Sequence, residues 1–270
     1  MKKNSKLFLT ISIFTAIFSG LSLVSCATTE DSTKLKNNIP TGLNYYPNIE
    51  DPKEAQTHKL IDNLVVKVFG DDGYKKTEFL KSQERETKLF TELKELTQEF
   101  KTSQNANKLK QFYSRNWLFI IKNIKKLQWT FTEWWKFPNF ENAKHTDEFL
   151  ENLNSLPKPN DFKFNDNNWD QFKEGDESFE SSDNIFYLKK DNFIIRIYIS
   201  RNEDKTVNFN HIILFPNSKI KNISIQIISD AVHNALIHKQ QSGFNSFEEA
   251  AKKLFGNGAI GLLLLKDDEQ

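Results

Sequence analysis

The chain has 270 residues, of which 24 are phenylalanine and one is cysteine. A chain of this length forms one large domain or two small ones. Its 37 basic and 36 acidic residues give a formal net charge of +1, so no overall positive field favours nucleic acid as a partner. The single cysteine excludes an intrachain disulfide and a cysteine-based metal site.

The N-terminal segment has the layout of a secretory signal peptide that ends in a lipobox. Lys2, Lys3 and Lys6 precede an apolar run over residues 7–24, which is typical of such a signal. The run closes on Leu23-Val24-Ser25-Cys26, which resembles the signals of bacterial lipoproteins. The resemblance implies cleavage of residues 1–25 and attachment of a diacylglyceryl group to the thiol of Cys26.

Two alternatives to lipidation stay open for this segment. The apolar run approaches the length of an uncleaved membrane anchor, and it also fits a simple secretory signal with an incidental Cys26. The absence of a second cysteine favours lipidation, because a disulfide would need a partner. Cleavage would remove three lysines and no acid, leaving 34 basic and 36 acidic residues and a net charge of −2. The polar residues 26–50 predict a flexible tether.

Helices dominate the first part of the predicted ectodomain, residues 51–270. Asp51-Pro52-Lys53-Glu54 provides a helix start, and the first helix is expected to end near Gly70,. A second helix is predicted from apolar residues at helical spacing; these residues are Leu89, Leu93, Leu96 and Phe100. A third is predicted over about 107–136, and a short one over about 146–156.

The remaining sequence predicts a loop, a small sheet and two more helices. Residues 157–183 are polar and acidic and predict a long loop. Strands are predicted over 185–188, 193–199 and 207–215, with a tight hairpin at Asp191-Asn192,. Helices are predicted over 223–239, with a strand as the alternative for the start of this segment, and from Ser246 to about Gly256. Residues 262–265 are apolar enough for a final strand. Helices followed by strands predict an α+β fold, with an N-terminal helical bundle-like part, a small antiparallel sheet and C-terminal helices.

Four tryptophans of the predicted helix over 107–136 are the candidate ligand-binding residues. Trp117 and Trp134 lie in its apolar stripe, and Trp129 and Trp135 widen that stripe. Tryptophan is favoured at binding surfaces and at membrane interfaces. These side chains therefore suit a groove for an apolar or peptide ligand. The alternative is a core helix that is covered on most sides, which is the commoner role of an aromatic stripe at helical spacing.

Two parts of this region carry a resemblance to a known family. The stretch Ser114-Arg115-Asn116-Trp117-Leu118-Phe119 and the later Phe131-Thr132-Glu133-Trp134-Trp135 resemble the signature of the mollicute lipoproteins called aromatic motif membrane proteins. The lipobox fits that class. The resemblance implies a surface lipoprotein, and it assigns no catalytic residues.

An acidic segment matches part of the spacing of a calcium-binding loop. Its oxygen-bearing side chains fall at five of the ligand positions; they are Asp166, Asn168, Asp170, Glu174 and Glu177. However, Gln171 stands where the loop requires glycine,. We therefore interpret the segment as an acidic loop without a cation.

No other pattern predicts a metal, a cofactor or catalysis. The GxGxxG pattern at 256–261 follows a helix and has no helix after it, so we interpret it as a helix C-cap and turn. None of the five histidines has a ligand spacing, and His233 and His238 are expected to diverge around a helix,. No nucleophile motif is present.

These observations predict a lipoprotein on the extracellular face of the cell membrane, with no cofactor and no enzymatic activity. The leading hypothesis is a binding protein for a host or envelope protein or an apolar ligand, with no nucleic acid as a partner. One alternative is a structural envelope protein without a dissociable ligand. The other is a surface hydrolase or nuclease whose acidic residues form no motif.

Overall fold

The computed structural model describes residues 52–169, 171–174, 184–200, 205–220 and 223–266. Across these ranges, helices and one antiparallel sheet form the α+β fold that the sequence predicts. The predicted signal peptide, Cys26 and the tether over 26–50 lie outside the described residues. The division of the chain at residues 25 and 50 stays a prediction.

Eight α-helices are described, and two of them are followed by a tighter or wider turn. The helices are α1 (Pro52–Phe69), α2 (Gly73–Gln83), α3 (Glu86–Ser103), α4 (Asn107–Arg115), α5 (Trp117–Lys122), α6 (Asp147–Ser155), α7 (Ile225–Val232) and α8 (Gln241–Lys253). A 3-10 turn (Ile124–Lys126) follows α5, and a π-helical turn (His233–Ile237) follows α7.

Within the described ranges, six strands pair in the order β1-β6-β5-β4-β3-β2, and all neighbours are antiparallel. The strands are β1 (Gln128–Trp135), β2 (Gln171–Glu174), β3 (Ile185–Lys190), β4 (Phe193–Ile199), β5 (Val207–Leu214) and β6 (Ala259–Leu265). The last strand of the chain therefore lies between β1 and β5, and it ties the N-terminal half to the C-terminal half.

The sheet separates two hydrophobic cores. Ile195 faces a core shared with α1 to α5, whereas the neighbouring Ile194 faces a core shared with α6 to α8. Successive strand residues point to opposite faces, so a strand with both faces covered reads as a continuous apolar run. This explains why β3, β4 and β6 are almost wholly buried.

The predicted helix over 107–136 is wrong in its second half. Helix α4 ends where Asn116 leaves helical geometry, and α5 ends at Asn123, with ψ angles of 34° and 23° at these two residues. The chain then forms β1. Its sequence, QWTFTEWW, consists largely of aromatic residues and threonine, which favour strands. Because apolar residues in this segment satisfy both a period of 3.6 and a period near 2, periodicity alone did not separate the two structures.

Other elements depart from the prediction less strongly. Helix α2 was not predicted; Asp72 caps it by accepting a hydrogen bond from the backbone N–H of Lys75. Helix α8 begins at Gln241, five residues before the predicted start at Ser246. Strand β2 lies within the predicted loop over 157–183. The three predicted strands, the hairpin with Asp191 at φ 52° and the final strand are confirmed.

A β-bulge redirects the side chains of β1. The register with β6 shifts between Phe131 and Glu133, so that Thr132 is the extra residue. Trp129 and Trp135 are six positions apart and would otherwise share a face. With the bulge, Trp129 packs in the core of α1 to α5 and Trp135 in the core of α6 to α8,. No helix within the described ranges is long and apolar enough to cross a bilayer.

A candidate binding cleft beside strands β5 and β6

Strands β5 and β6 separate soon after they meet. Only Ile213 and Leu214 of β5 are in register with β6, opposite Gly261 and Ile260, whereas β1 pairs with β6 along its whole length. Helix α4 packs against β5 beside this gap. The backbone groups that a full ladder would have paired therefore need other partners.

The hydroxyl group of Tyr113 on α4 supplies two of these partners. It donates to the carbonyl of Leu264 at 2.6 Å and accepts from the N–H of the same residue at 3.1 Å. Both residues are buried. Burial raises the pKa of the Tyr113 hydroxyl, although its bond to the Leu264 carbonyl acts in the opposite direction. The group stays protonated and replaces a neighbouring strand at this position.

Two further hydroxyl groups act in the same way at the ends of the gap. Ser114 Oγ donates to the carbonyl of Val207 at 2.6 Å, and Thr97 Oγ1 accepts from the N–H of Lys266 at 3.0 Å. Hydroxyls can donate and accept, so they satisfy either kind of backbone group. The hydroxyls of Tyr113, Ser114 and Thr97 thus satisfy several of the backbone groups that face the gap.

A cleft of about 510 Å³ lies beside this gap, between α3, α4 and strands β1, β5 and β6. Its aromatic lining comprises Phe100, Tyr113, Phe131, Trp135, Phe209 and His211. Its polar lining includes Gln104, Lys110, Gln128, Thr130, Thr132 and Glu133. The lining is therefore mixed, with aromatic rings beside several polar and charged side chains. Polar groups that fix the orientation of a ligand and apolar faces that cover it are both features of ligand sites.

The imidazole of His211 is neutral in this environment. Burial, helped by the positive charge of Arg196 opposite it on β4 and of Lys110, lowers the pKa of His211 to about 4. Trp135 Nε1 donates to His211 Nδ1 at 3.3 Å, which places the ring proton on Nε2. His211 therefore offers the cleft a hydrogen-bonding group without a charge near neutral pH.

The structure disperses the four candidate tryptophans. Trp117 and Trp129 are 2% and 0% exposed, and each packs against other rings in the core of α1 to α5. Trp134 is half-buried between the two cores, and Trp135 borders the cleft. The expected common helical face does not exist, because three of the four lie on β1 and the bulge divides them.

Aromatic rings nevertheless cluster on both sides of the sheet. On one side Trp129 contacts Phe162, Phe164 and Phe193, with ring centres 4.2 to 6.1 Å apart. On the other side the rings of Trp135 and Phe247 meet edge to face at 5.1 Å. Such contacts add stability beyond the area that they bury.

A family model described as aromatic cluster surface protein matches residues 37–257. The chain belongs to this family. The assignment agrees with the resemblance drawn from residues 114–119 and 131–135, at the level of an aromatic-motif surface protein. The matched region covers every described helix and five of the six strands. Neither a curated protein nor a solved structure gives a match.

A lysine contacts the start of the acidic segment. Lys190 Nζ lies 2.7 Å from Asp166 Oδ1 and 3.0 Å from the carbonyl of Asn168. Burial acts to raise the pKa of Asp166, but the Lys190 ammonium and the N–H of Asn168 together lower it. Asp170 and Glu177 lie outside the described residues. In the described part of the chain, no three His, Cys, Asp or Glu side chains could hold a metal ion together.

A buried histidine–carboxylate pair was not found from the sequence. His145 Nδ1 lies 2.8 Å from Glu248 Oε1, and its Nε2 accepts from the backbone N–H of Phe137 at 3.0 Å. Glu248 also accepts from the N–H and the hydroxyl of Thr146. Burial lowers the pKa of His145, against the opposing effect of Glu248. Both ring nitrogens of His145 therefore form hydrogen bonds within the fold, and the pair connects the chain just before α6 to helix α8.

The prediction that His233 and His238 diverge is wrong. Their Nε2 atoms lie 2.8 Å apart, with ring centres at 4.5 Å. The reason is the π-helical turn, which the sequence did not predict: it brings residues five apart onto the same side of the chain. The glycines after α8 match their interpretation as a C-cap and turn, with Gly256 at φ 69°.

Proposed function

We propose that this member of the aromatic cluster surface protein family is a lipid-anchored, non-enzymatic binding protein of a mollicute-type cell. Its ligand is an extended peptide segment of a host or envelope protein, held in the cleft beside β5 and β6. The observation that carries the proposal is the cleft itself, with its 510 Å³ volume and mixed aromatic and polar lining.

The lining favours a peptide over a purely apolar ligand. Phe131 and Phe209 provide faces for apolar side chains. Gln128, whose Nε2 donates to Asp161 at 3.1 Å, provides its amide oxygen for a backbone N–H. Lys110 and Glu133 add charges of both signs at the cleft. A peptide offers apolar, amide and charged groups together, and a lipid chain would leave the polar groups of the cleft without partners.

The surroundings of His211 and His145 support a non-enzymatic role. His211 has a pKa of about 4, and a general base works best when its pKa lies near the pH of the reaction. His145 has both ring nitrogens engaged within the fold. Neither residue is suited to activate a nucleophile at neutral pH.

A random peptide library panned on the immobilised full-length protein tests the cleft. We expect enrichment of sequences that contain an aromatic residue, and we expect Phe131→Ala to weaken binding of the selected peptides by roughly tenfold, since truncating a central aromatic residue at an interface typically costs at least 1 to 2 kcal/mol. The matched control is Phe140→Ala, because Phe140 is also a half-buried phenylalanine but lies outside the cleft.

Two outcomes would contradict this assignment of the cleft. Failure of any sequence to enrich would favour the structural alternative, in which the aromatic residues serve only the core, as Trp117 and Trp129 do. Equal binding by the Phe131→Ala and Phe140→Ala proteins would place the peptide elsewhere on the surface. Thermal unfolding of both variants controls for loss of structure.

Lipidation is tested by Cys26→Ser in the original host. Two acyl chains hold a protein on a bilayer far longer than one, so removal of the thiol is expected to move the protein from the detergent phase to the aqueous phase in a phase-separation assay. Ser25→Ala is the matched control, because a small residue still precedes Cys26. Retention of Cys26→Ser in the detergent phase would indicate an uncleaved anchor, and an aqueous wild type would indicate a simple secretory signal.

A further inference from the structure

The π-helical turn after α7 is closed between two histidines. The N–H of His238 donates to the carbonyl of His233 at 3.2 Å, which is the i+5 to i bond that defines such a turn. In a regular α-helix, residues five apart point in different directions. Here the wider turn brings both imidazoles to one side, so the local backbone is what unites them.

The imidazole rings of His233 and His238 contact each other through their Nε2 atoms. The Nε2 atoms are 2.8 Å apart, so in the neutral pair one nitrogen carries a proton and the other presents its lone pair to it. A zinc ion bound to two imidazole nitrogens at 2.0–2.1 Å in tetrahedral geometry would hold them about 3.3 Å apart. Replacement of the shared proton by a metal ion therefore needs a separation only about half an ångström larger.

The two histidines differ in how firmly the fold holds them. His233 is 1% exposed, whereas His238 lies at the surface. Helix α8 packs so closely on the turn that a Cβ at Gly243 would overlap the backbone N of Ala235. Packing against α8 thus holds the backbone of the turn in place. The exposed His238 ring can shift, and water can reach the space beside it.

We propose that His233 and His238 bind a divalent transition-metal ion of the zinc class through their Nε2 atoms. Imidazole nitrogen suits zinc, copper and nickel rather than calcium or magnesium. Since no third His, Cys, Asp or Glu joins the pair in the described part of the chain, water completes the coordination. Asp230, one turn earlier, is held through both carboxylate oxygens by the amide of Gln226.

The proposal is independent of the cleft and of its peptide. The full-length protein is first treated with a chelator to remove bound metal, and the chelator is then removed. Titration of ZnCl2 into this protein is expected to show saturable binding of one ion. His238→Gln is expected to weaken binding by roughly tenfold or more, because even loss of a group that only orients a metal ligand typically costs that much. His238 is exposed, and the amide of glutamine can still form a hydrogen bond with His233 Nε2, so this variant is expected to keep the unfolding temperature of the metal-free protein.

His58→Gln is the matched control. On α1, His58 Nε2 lies 3.9 Å from Glu54 Oε1, so these two side chains are a second place on the surface where a metal ion could bind. We expect this variant to bind zinc like the wild type, and we expect the imidazole Nε2 resonances of His233 and His238 to shift together in nitrogen NMR spectra. The proposal is overturned if no saturable binding occurs, if His238→Gln binds as tightly as the wild type, or if His58→Gln abolishes binding.

Discussion

Replacement of Gly256 by alanine is expected to lower the free energy of unfolding by about 4 kcal/mol, a large share of the roughly 5–15 kcal/mol that is typical of a folded domain. Gly256 has a φ of 69°, where an L-residue is strained by roughly 1–2 kcal/mol. An added Cβ would also overlap the carbonyl oxygen of Asn217 and lie 2.5 Å from its carbon. Overpacking of this kind adds about 1–3 kcal/mol.

The backbone around Gly256 has little freedom to relieve this contact. The N–H of Lys219 donates to the carbonyl of Leu254 at 2.9 Å, and the N–H of Asn257 donates to that of Ala251 at 2.8 Å. The first bond holds the loop after β5 against the end of α8, and the second fixes the turn that contains Gly256. Strain at Gly256 is therefore expected to appear as lost stability, measured by urea unfolding.

Gly70→Ala separates the effect of backbone strain from the effect of the contact with Asn217. Gly70 also has a positive φ, 53°, but nothing lies within 4 Å of an added Cβ. We expect this variant to lose only about 1 kcal/mol, from the backbone strain. If Gly256→Ala lost no more than Gly70→Ala, the contact with Asn217 would not be a constraint in solution.

Tyr113→Phe is expected to lower the free energy of unfolding by about 3 kcal/mol, although it removes a single oxygen atom. The hydroxyl is the partner of both the N–H and the carbonyl of Leu264. Leu264 is wholly buried, so water cannot replace the hydroxyl. A buried polar group left without a partner costs roughly 1–3 kcal/mol, and here two such groups arise at once.

Hydrogen exchange locates the effect within the molecule. We expect the amide of Leu264 to exchange faster in Tyr113→Phe, because local opening of β6 becomes easier. Tyr74→Phe is the matched control, since Tyr74 is 78% exposed and its hydroxyl is solvated; it is expected to unfold like the wild type. Unchanged exchange at Leu264 in Tyr113→Phe would show that β6 obtains its partners without this hydroxyl.

The sequence predicted those helices and turns that depend on interactions between residues close together in the chain. The start of α1 follows from Pro52 at the first helical position, which needs no hydrogen-bond donor,. The hairpin between β3 and β4 follows from Asp191, which tolerates a positive φ, between two runs of β-branched and aromatic residues,. In both cases the decisive interaction spans only a few residues.

The errors arose where distant residues decide the conformation. Strand β1 satisfies a helical period as well as a strand period, and its pairing with β6, more than 120 positions along the chain, selects the strand. The partners His145 and Glu248 are 103 residues apart, and no spacing rule relates them. The convergence of His233 and His238 depends on a π-helical turn braced by α8.

The sequence by itself determined the α+β class, the strands over 185–215 and the aromatic signature of a surface protein, because periodicity, turn residues and composition act over short distances. It also carries the lipobox from which the anchor at Cys26 is predicted. Only the tertiary structure decided that β6 inserts between β1 and β5 and that a cleft opens beside it. The physical reason is that backbone groups of β6 at this gap take hydroxyls such as that of Tyr113 as partners in place of a strand, and that proximity is a property of the folded chain,.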